Sequence, residues 1–133
     1  MKAITSKATR GLNIGSIVEA ADNSGARIVK IVSVKRSGSK KGRQVPAKIA
    51  DCVKVSVRKG KPEMKGEVFD AVVVRMRRPY RRKTGERIAF SDNAVALLKD
   101  EKGNPKGTQI KGAIAREVQE RWGSVAKIAQ AIV

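Results

Sequence analysis

The sequence predicts a mainly β protein: a closed β-barrel followed by two short C-terminal helices. Two patterns support this prediction. Short apolar segments rich in β-branched residues recur at roughly even spacing up to Asp100, with turn residues between them. Beyond Asp100 the apolar residues follow a helical period instead. A chain of 133 residues fits one domain, with a basic arm at 1–15, the barrel at 16–100 and a loop with the helices at 101–133.

The barrel strands are predicted from alternation and from turn chemistry. An Asp-Asn-Ser-Gly turn at 22–25 joins the first two strands in a hairpin. In the third strand, Val53, Val55 and Val57 share one face, and polar residues occupy the other. Valines at 72–74 indicate a strand that is buried on most of its surface. The predicted strands are 16–20, 26–34, 49–58, 68–74, 87–90 and 94–99.

The C-terminal region is predicted to form two amphipathic helices. In 113–122 the apolar residues lie four positions apart up to Trp122, and in 125–132 they follow the spacing i, i+3, i+4, i+7. Both segments are too short to be stable alone, so we expect them to dock on the barrel, with Trp122 in the contact. Ser124 is expected to cap the second helix.

The composition points to a polyanionic partner. Lys and Arg number 30 against 12 Asp and Glu, which gives a formal charge of +18. Such a charge repels itself in the folded state, and nucleic acid would relieve the repulsion. A membrane partner is not expected, because no apolar run approaches the ~20 residues of a spanning helix and no signal peptide opens the chain. The single Cys52 suits a reducing compartment, so a cytoplasmic location is predicted.

Two basic segments without any acid are the candidate binding sites. The segment 35–48 holds six basic residues, two glycines and a proline, so it is expected to be a loop. The segment 75–83 continues from the most apolar strand. Surfaces that are merely solvated mix both signs of charge, so phosphate contact is predicted. The predicted RNA-binding residues are Lys35, Arg36, Lys40, Lys41, Arg43, Lys48, Arg75, Arg77, Arg78, Arg81, Arg82 and Lys83.

Catalysis and metal binding are not expected. The chain has no His and only one Cys. It therefore lacks the commonest general base and the residues needed for a zinc site or a thiol-imidazole nucleophile. The segment 107–112 begins like a phosphate-binding loop but lacks the Lys-Ser/Thr that such loops need. No catalytic residue, metal ligand or cofactor is therefore predicted. Scattered acids are expected to serve as turn residues and as local partners for arginine: Asp51, Asp70, Asp92 and Glu117.

The mode of RNA binding follows from the scarcity of aromatic residues. They make up 3% of the chain, which is too few for stacking on single-stranded bases. The remaining mode is contact of Lys and Arg with the backbone and shape of a folded RNA.

Several ordered motifs resemble those of the universal large-subunit ribosomal protein of the L-fourteen family. They are ADNSGA at 21–26, AVVVR at 71–75, FSDNA at 90–94, KGT at 106–108 and ARE at 115–117. The resemblance extends over nearly the whole chain from about Gly11. KGKPE at 59–63, YRRK at 80–83 and ERW at 120–122 look more like the archaeal and eukaryotic branch. Ala113 and Gly123 depart from the family, which usually has Pro there, a residue that sets φ at a helix start.

The resemblance implies a five-stranded meander barrel, similar in appearance to OB and SH3-like barrels, in a structural protein and not an enzyme. It implies binding to large-subunit ribosomal RNA and a contact with small-subunit RNA at an intersubunit bridge. It also implies neighbouring large-subunit proteins and an anti-association factor as partners. A free RNA-chaperone barrel is the first alternative and is disfavoured by the few aromatics. A hydrolase or nucleotide-binding enzyme is the second and is disfavoured by the absence of His.

Overall fold

A computed structural model describes residues 2–35, 41 and 45–133 of the chain. The elements in chain order are β1 (Ile17–Ala20), β2 (Ala26–Val34), β3 (Cys52–Gly60), β4 (Val68–Arg75), β5 (Tyr80–Arg81), β6 (Arg87–Ile88), β7 (Ala94–Leu98), β8 (Ile110–Ile114), α1 (Arg116–Arg121), α2 (Gly123–Ala126) and β9 (Ala129–Ile132). Five strands form a closed barrel in the order β1-β2-β3-β4-β7. Neighbouring barrel strands are antiparallel except for β1 and β7, whose parallel pairing closes the barrel. The predicted fold class is confirmed.

The apolar run of β4 lies at the centre of the core. Residues 71–74 are fully buried, so both faces of the strand are covered. One face points into the barrel, and the other is covered by α1 and β8, which contact β4. Between these elements, Ala115 N–H donates to Val74 O at 3.2 Å. A strand covered on both sides needs apolar residues at successive positions, not at alternate ones. The buried strand predicted at 72–74 is therefore confirmed.

A β-ribbon formed by β5 and β6 stands apart from the barrel sheet. Its turn contains Gly85 with φ +94°, a left-handed conformation that glycine adopts without a steric penalty. The base is anchored by Tyr80, which is 1% exposed. The ribbon therefore carries its basic residues on a fixed support.

The predicted C-terminal helices are too long. Residues up to Ile114 belong to β8, residues from Ala129 belong to β9, and these strands pair in parallel as a separate two-stranded sheet. Short apolar runs satisfy helical and strand periods equally, and tertiary pairing of the backbone decides between them. Ser124 does not cap α2, because the helix begins at Gly123 without any side-chain cap. In the described part of the chain, neither helix is long or apolar enough to cross a membrane.

The segment before β1 lies against the rest of the molecule. Leu12 is 3% exposed and exchanges both backbone hydrogen bonds with Ala47, at 3.2 and 2.6 Å. Nearer the start, the N–H and hydroxyl groups of Thr5 donate to the Glu120 carboxylate at 3.1 and 2.8 Å. These contacts connect the basic N-terminal segment to α1.

Trp122 docks the two helices on the barrel, as predicted. Its Nε1–H donates to Ala50 O at 2.8 Å, and the half-buried ring packs so closely on Gly103 that an added Cβ would lie 2.7 Å from it. Arg121 Nη1 donates to the same carbonyl at 3.2 Å. Ala50 has φ 67°, an unusual conformation for alanine, and its carbonyl oxygen accepts both hydrogen bonds.

Replacing Trp122 by alanine is expected to lower the unfolding free energy by about 3 kcal/mol, because packing area and a hydrogen bond are lost together. Trp122→Phe keeps most of the ring and should cost only about 1 kcal/mol through the lost hydrogen bond. Denaturant melts of both variants measure the difference. A melt of Trp122→Ala that matches the wild type would show that the ring does not hold the helices in place.

Candidate RNA-binding surface

The predicted RNA-binding residues that the structure describes differ in how exposed and how paired their charges are. The side chains with exposed charge are Lys41, Arg77, Arg78, Arg81 and Lys83. The side chains paired with carboxylates inside the chain are Lys35, Arg75 and Arg82. Lys48 is half-buried. Arg36, Lys40 and Arg43 lie outside the described residues.

The exposed group is concentrated at the ribbon. Arg81 and Lys83 lie on it, and Arg77 and Arg78 lie between β4 and β5. Arg77 is held by its backbone, whose N–H donates to Asn93 Oδ1 at 2.9 Å, which leaves the guanidinium in solvent. None of these residues forms an ion pair within the described part of the chain. Glu86 is the only exposed acid on the described ribbon and Arg87 adds a further cation, so the result is a local excess of positive charge on a rigid base.

Arg75 serves as an internal clamp. Its guanidinium binds both carboxylate oxygens of Asp92, at 2.8 and 3.1 Å. Its Nη1 also donates to Lys111 O at 2.6 Å and Ala113 O at 3.2 Å, so it joins β4, the 90–94 segment and β8. A bidentate, charge-assisted pair of this kind fixes geometry strongly. The AVVVR and FSDNA motifs therefore meet in an intramolecular contact.

Arg82 is buried in a second clamp. Its Nε donates to Glu117 Oε1 at 2.9 Å, and its Nη2 donates to Val133 O at 2.8 Å. The Tyr80 hydroxyl donates to Glu117 Oε2 at 2.7 Å. Burial alone would raise the pKa of Glu117, but the hydrogen bonds from Arg82 and Tyr80 outweigh it and lower the pKa below its ordinary value. Burial and the hydrogen bond to Glu117 raise the pKa of Tyr80. This clamp joins the ribbon base to α1.

Lys35 lies beside a cavity near the start of β3. Its ammonium contacts Asp70 at 3.0 Å and Glu101 at 3.1 Å. Burial alone would lower the pKa of Lys35, but these two hydrogen bonds outweigh it and raise the pKa. Cys52 and Trp122 line the same cavity, of about 550 Å³. Cys52 is buried, which raises its thiol pKa to about 11, so the thiol stays protonated near neutral pH.

The acids Asp51, Asp70, Asp92 and Glu117 pair with basic side chains, as predicted, but the predicted local pairing with arginine is wrong: Asp70 binds a lysine, and Asp51 and Glu117 bind arginines 70 and 35 residues away. Each pairs with a basic side chain: Arg121 with Asp51, Lys35 with Asp70, Arg75 with Asp92, and Arg82 with Glu117. Within the described ranges, no group of three or more Cys, Asp and Glu side chains is placed to hold a metal ion.

The segment 107–112 binds the β1–β2 turn and not a phosphate. Asn23 Oδ1 accepts the N–H groups of Thr108 and Gln109 at 2.8 and 3.2 Å, so these donors are already used. A Cβ at Gly107 would lie 2.7 Å from the same oxygen, which explains the glycine. Asp22 accepts the N–H of Leu97 at 3.0 Å. Thus the ADNSGA and KGT motifs also form an intramolecular contact.

The profile of the family described as "Ribosomal protein L14p/L23e" matches residues 11–133. The chain belongs to this family. Similar proteins named "Large ribosomal subunit protein uL14" come from Nanoarchaeum equitans (56% identical), Halobacterium salinarum (49%) and Methanothrix thermoacetophila (47%), with all of both chains covered in each case. The predicted family resemblance, of the archaeal type, is confirmed, and with it a structural ribosomal role.

The prediction from sequence missed Arg87, which is exposed on β6 opposite Arg81, and a separate group of basic residues on this L14p/L23e protein. The β3–β4 hairpin and β2 carry further exposed cations: Arg27, Arg58, Lys59, Lys61 and Lys65. Acids at Glu63 and Glu67 interrupt this stretch, so it does not stand out as an acid-free segment. Arg27 is distant in sequence and joins the others only through the pairing of β2 with β3. Knowledge of the pairing between β2 and β3 would have been needed to place Arg27 beside the hairpin cations.

Proposed function

We propose that this protein is a structural component of the large ribosomal subunit that binds large-subunit ribosomal RNA through the β-ribbon. The observation that carries this proposal is the group of exposed, unpaired cations at the ribbon: Arg77, Arg78, Arg81 and Lys83. Their support is rigid, because Tyr80 and Arg82 at the ribbon base are locked to Glu117. The backbone that carries these side chains is already ordered, so it loses little freedom when phosphates bind. The names of the relatives, which refer to the large ribosomal subunit, support the same assignment.

The finer partners are part of the same proposal. The resemblance supports a contact with small-subunit RNA at an intersubunit bridge, neighbouring large-subunit proteins and an anti-association factor. Protein contacts are supported by Ile132 at the end of β9 and by the adjacent Val133, which expose 40% and 45% of their surface. The loop cations at 35–48 remain predicted RNA contacts.

Salt dependence tests the RNA-binding proposal. If about eight phosphates are neutralised, the log–log slope of affinity against salt should be roughly −6 to −7. Changing Arg77, Arg78, Arg81 and Lys83 together to Gln should flatten that slope by about 3 to 4 units. Titration of a large-subunit RNA fragment at several salt concentrations gives both slopes.

A matched control separates local contact from total charge. Lys7, Lys99, Lys102 and Lys127 are also exposed, and their joint change to Gln removes the same charge from other parts of the molecule. The slope of RNA affinity against salt for this control should stay close to that of the wild type. Both variants should melt like the wild type. Equal slopes for wild type and ribbon variant would contradict the proposal. Co-sedimentation with ribosomal subunits would then separate a ribosomal component from a free RNA-chaperone barrel.

The loop variant in which Arg36, Lys40, Lys41 and Arg43 are all changed to Ala tests the second basic segment. Four lost phosphate contacts would again flatten the slope by about 3 to 4 units. If the loop variant binds RNA like the wild type, residues 35–48 are not an RNA contact, and the ribbon is then the one predicted RNA-binding segment that remains.

A further inference from the structure

The loop at 83–85 fixes how the two strands of the ribbon face each other. Arg82 N–H donates to Glu86 O at 2.9 Å, and Arg82 O accepts the N–H of Gly85 at 2.9 Å. The next pair after Arg82 and Glu86 is Arg81 with Arg87. Hydrogen-bonded and non-hydrogen-bonded pairs alternate along antiparallel strands, so Arg81 and Arg87 form a non-hydrogen-bonded pair, whose Cα atoms are only about 4.5 Å apart. Their side chains therefore lie side by side on one face of the ribbon.

This arginine pair, Arg81 and Arg87, brings two like charges together. Both side chains are exposed, and neither forms an ion pair within the described part of the chain. The neighbouring acid Glu86 is opposite Arg82, on the other face, and lies 4.0 Å from its guanidinium. Like charges directly opposite each other destabilise a pair of strands. A bound anion would remove this repulsion, so the arrangement suits ligand binding better than it suits the stability of the ribbon.

The chemistry of the arginine pair favours a phosphate group. Each guanidinium is a planar fork of donors that matches the oxygens of phosphate, and two forks on adjacent strands can hold the two non-bridging oxygens of one phosphodiester. RNA is favoured over an acidic protein, because none of the large exposed apolar side chains in the described ranges lies on the ribbon. The centres of protein interfaces are built from apolar and aromatic side chains.

The opposite face of the ribbon is fixed to α1 by Glu117. Tyr80 and Arg82, which flank Arg81, both point to that face, because successive side chains of a strand alternate. The Tyr80 hydroxyl donates to Glu117 Oε2 at 2.7 Å, and Arg82 donates to both carboxylate oxygens at 2.9 and 3.2 Å. Glu117 is 2% exposed. With both neighbours anchored, Arg81 has to project from the outer face, so Glu117 directs it without a hydrogen bond to it.

We propose that Arg81 and Arg87 together grip a single phosphate of the RNA backbone, and that Glu117 is a positioning residue that holds this arginine pair in place. The inference rests on the proposed RNA binding of the ribbon. It adds that two of the ribbon cations act as one unit, and that an acid on α1 contributes to RNA affinity although it carries the same sign of charge as the RNA.

A double-mutant cycle on the full-length protein tests the arginine pair. Arg81→Gln and Arg87→Gln should each lower affinity for a large-subunit RNA fragment roughly 10- to 100-fold, as expected for hydrogen bonds to a charged group. The double variant should lose little more than either single one, because both arginines hold the same phosphate. The matched control changes the exposed Arg10 and Arg116, which lie outside the ribbon, and should lower the affinity only slightly.

A conservative substitution distinguishes a fitted site from general charge. Arg87→Lys keeps the charge but replaces the planar fork by a point charge. The RNA affinity should fall about tenfold, whereas the slope of affinity against salt should stay close to that of the wild type. Arg116→Lys, the control on α1, should change neither quantity. Equal RNA affinities for Arg87→Lys and the wild type would overturn the arginine pair as a fitted phosphate site.

Two charge-matched variants test the positioning role of Glu117. Glu117→Gln and Glu86→Gln remove the same negative charge, which by itself should strengthen RNA binding. Glu86→Gln should bind RNA at least as tightly as the wild type, whereas Glu117→Gln should bind about tenfold more weakly, because the fork geometry of the arginine pair is lost. Titrations are made at a temperature at which melts show both variants folded. Tyr80→Phe removes only the hydroxyl that donates to Glu117, and it should weaken RNA binding in the same direction.

The outcomes separate this inference from the proposed function. A wild-type protein that binds no RNA would overturn both. If RNA binds but the losses of the single arginine variants multiply in the double variant, the two arginines contact separate groups, and the inference alone fails. Glu117→Gln and Glu86→Gln variants with equal RNA affinity would overturn the positioning role, and so would an unchanged affinity of Tyr80→Phe if Glu117→Gln does not fold. Arginine variants that bind RNA normally but fail to assemble with large-subunit proteins would assign the pair to an acidic protein partner instead.

Discussion

Val73→Asp is expected to unfold the barrel. Val73 is fully buried in β4, and its N–H and carbonyl groups pair with residues 50–51, which lead into the neighbouring strand β3. A carboxylate at this position would have no cationic partner and no water. We expect a loss of more than about 5 kcal/mol, which is comparable to the whole stability of a domain of this size. Circular dichroism and a denaturant melt would show an unfolded chain at neutral pH.

The matched control is the same substitution on the same strand. Val68 also lies on β4 but exposes 55% of its surface. Val68→Asp should cost no more than about 1 kcal/mol, which is the range of strand preferences at exposed sites. A folded Val73→Asp variant with a melt close to that of Val68→Asp would contradict the buried position of β4.

Glu117→Ala is expected to destabilise the protein by about 3 to 5 kcal/mol. The change leaves the buried guanidinium of Arg82 without its carboxylate and the Tyr80 hydroxyl without its acceptor, and uncompensated buried charge is costly. The control is Glu86, which is 64% exposed and 4.0 Å from the same arginine. Glu86→Ala should change stability by less than about 1 kcal/mol, because exposed pairs contribute little. Equal melts for the two variants would exclude a structural role for the clamp.

The same clamp predicts a pH dependence. The folded-state pKa of Glu117 lies below its ordinary value of 4.5, so the folded protein favours the ionised carboxylate more than the unfolded chain does. Its contribution to stability is therefore present above about pH 4.5 and is lost as the pH falls through the lowered pKa. Glu117→Gln should show a shallower loss of stability below pH 4.5 than the wild type. Denaturant melts between pH 7 and pH 3 give this difference.

Asp22 contributes a pH dependence of stability that is opposite in sign to that of Glu117. Burial raises its pKa, although hydrogen bonds from Ser24 and Leu97 lower it in part. Its contribution to stability is therefore present at low pH and decreases as the pH rises through the raised pKa. The comparison of wild type with Glu117→Gln cancels this effect, because Asp22 is unchanged in both proteins.

The motifs that identify the family are contacts within the molecule. Asn23 binds the backbone of Thr108, and Arg75 binds Asp92. These residues are far apart in sequence and meet only in the folded chain. They hold loops and β8 against the barrel, so the resemblance reflects the fold at least as strongly as it reflects RNA binding.

The sequence alone determined the five barrel strands and the sign of the surface charge, whereas the strand predicted at 87–90 is shortened to β6 and lies in the ribbon, outside the barrel sheet. Alternating and buried apolar runs are local patterns, and formal charge is a sum over residues, so neither requires knowledge of which residues meet. Tertiary structure alone decided which basic residues stay exposed. Arg81 and Arg82 are neighbours of identical type, yet Arg81 is exposed and Arg82 is 8% exposed beside Glu117. Tertiary structure also decided that Ala129–Ile132 forms a strand, because its backbone pairs with β8. Such pairing depends on partners distant in the chain, which no local pattern contains.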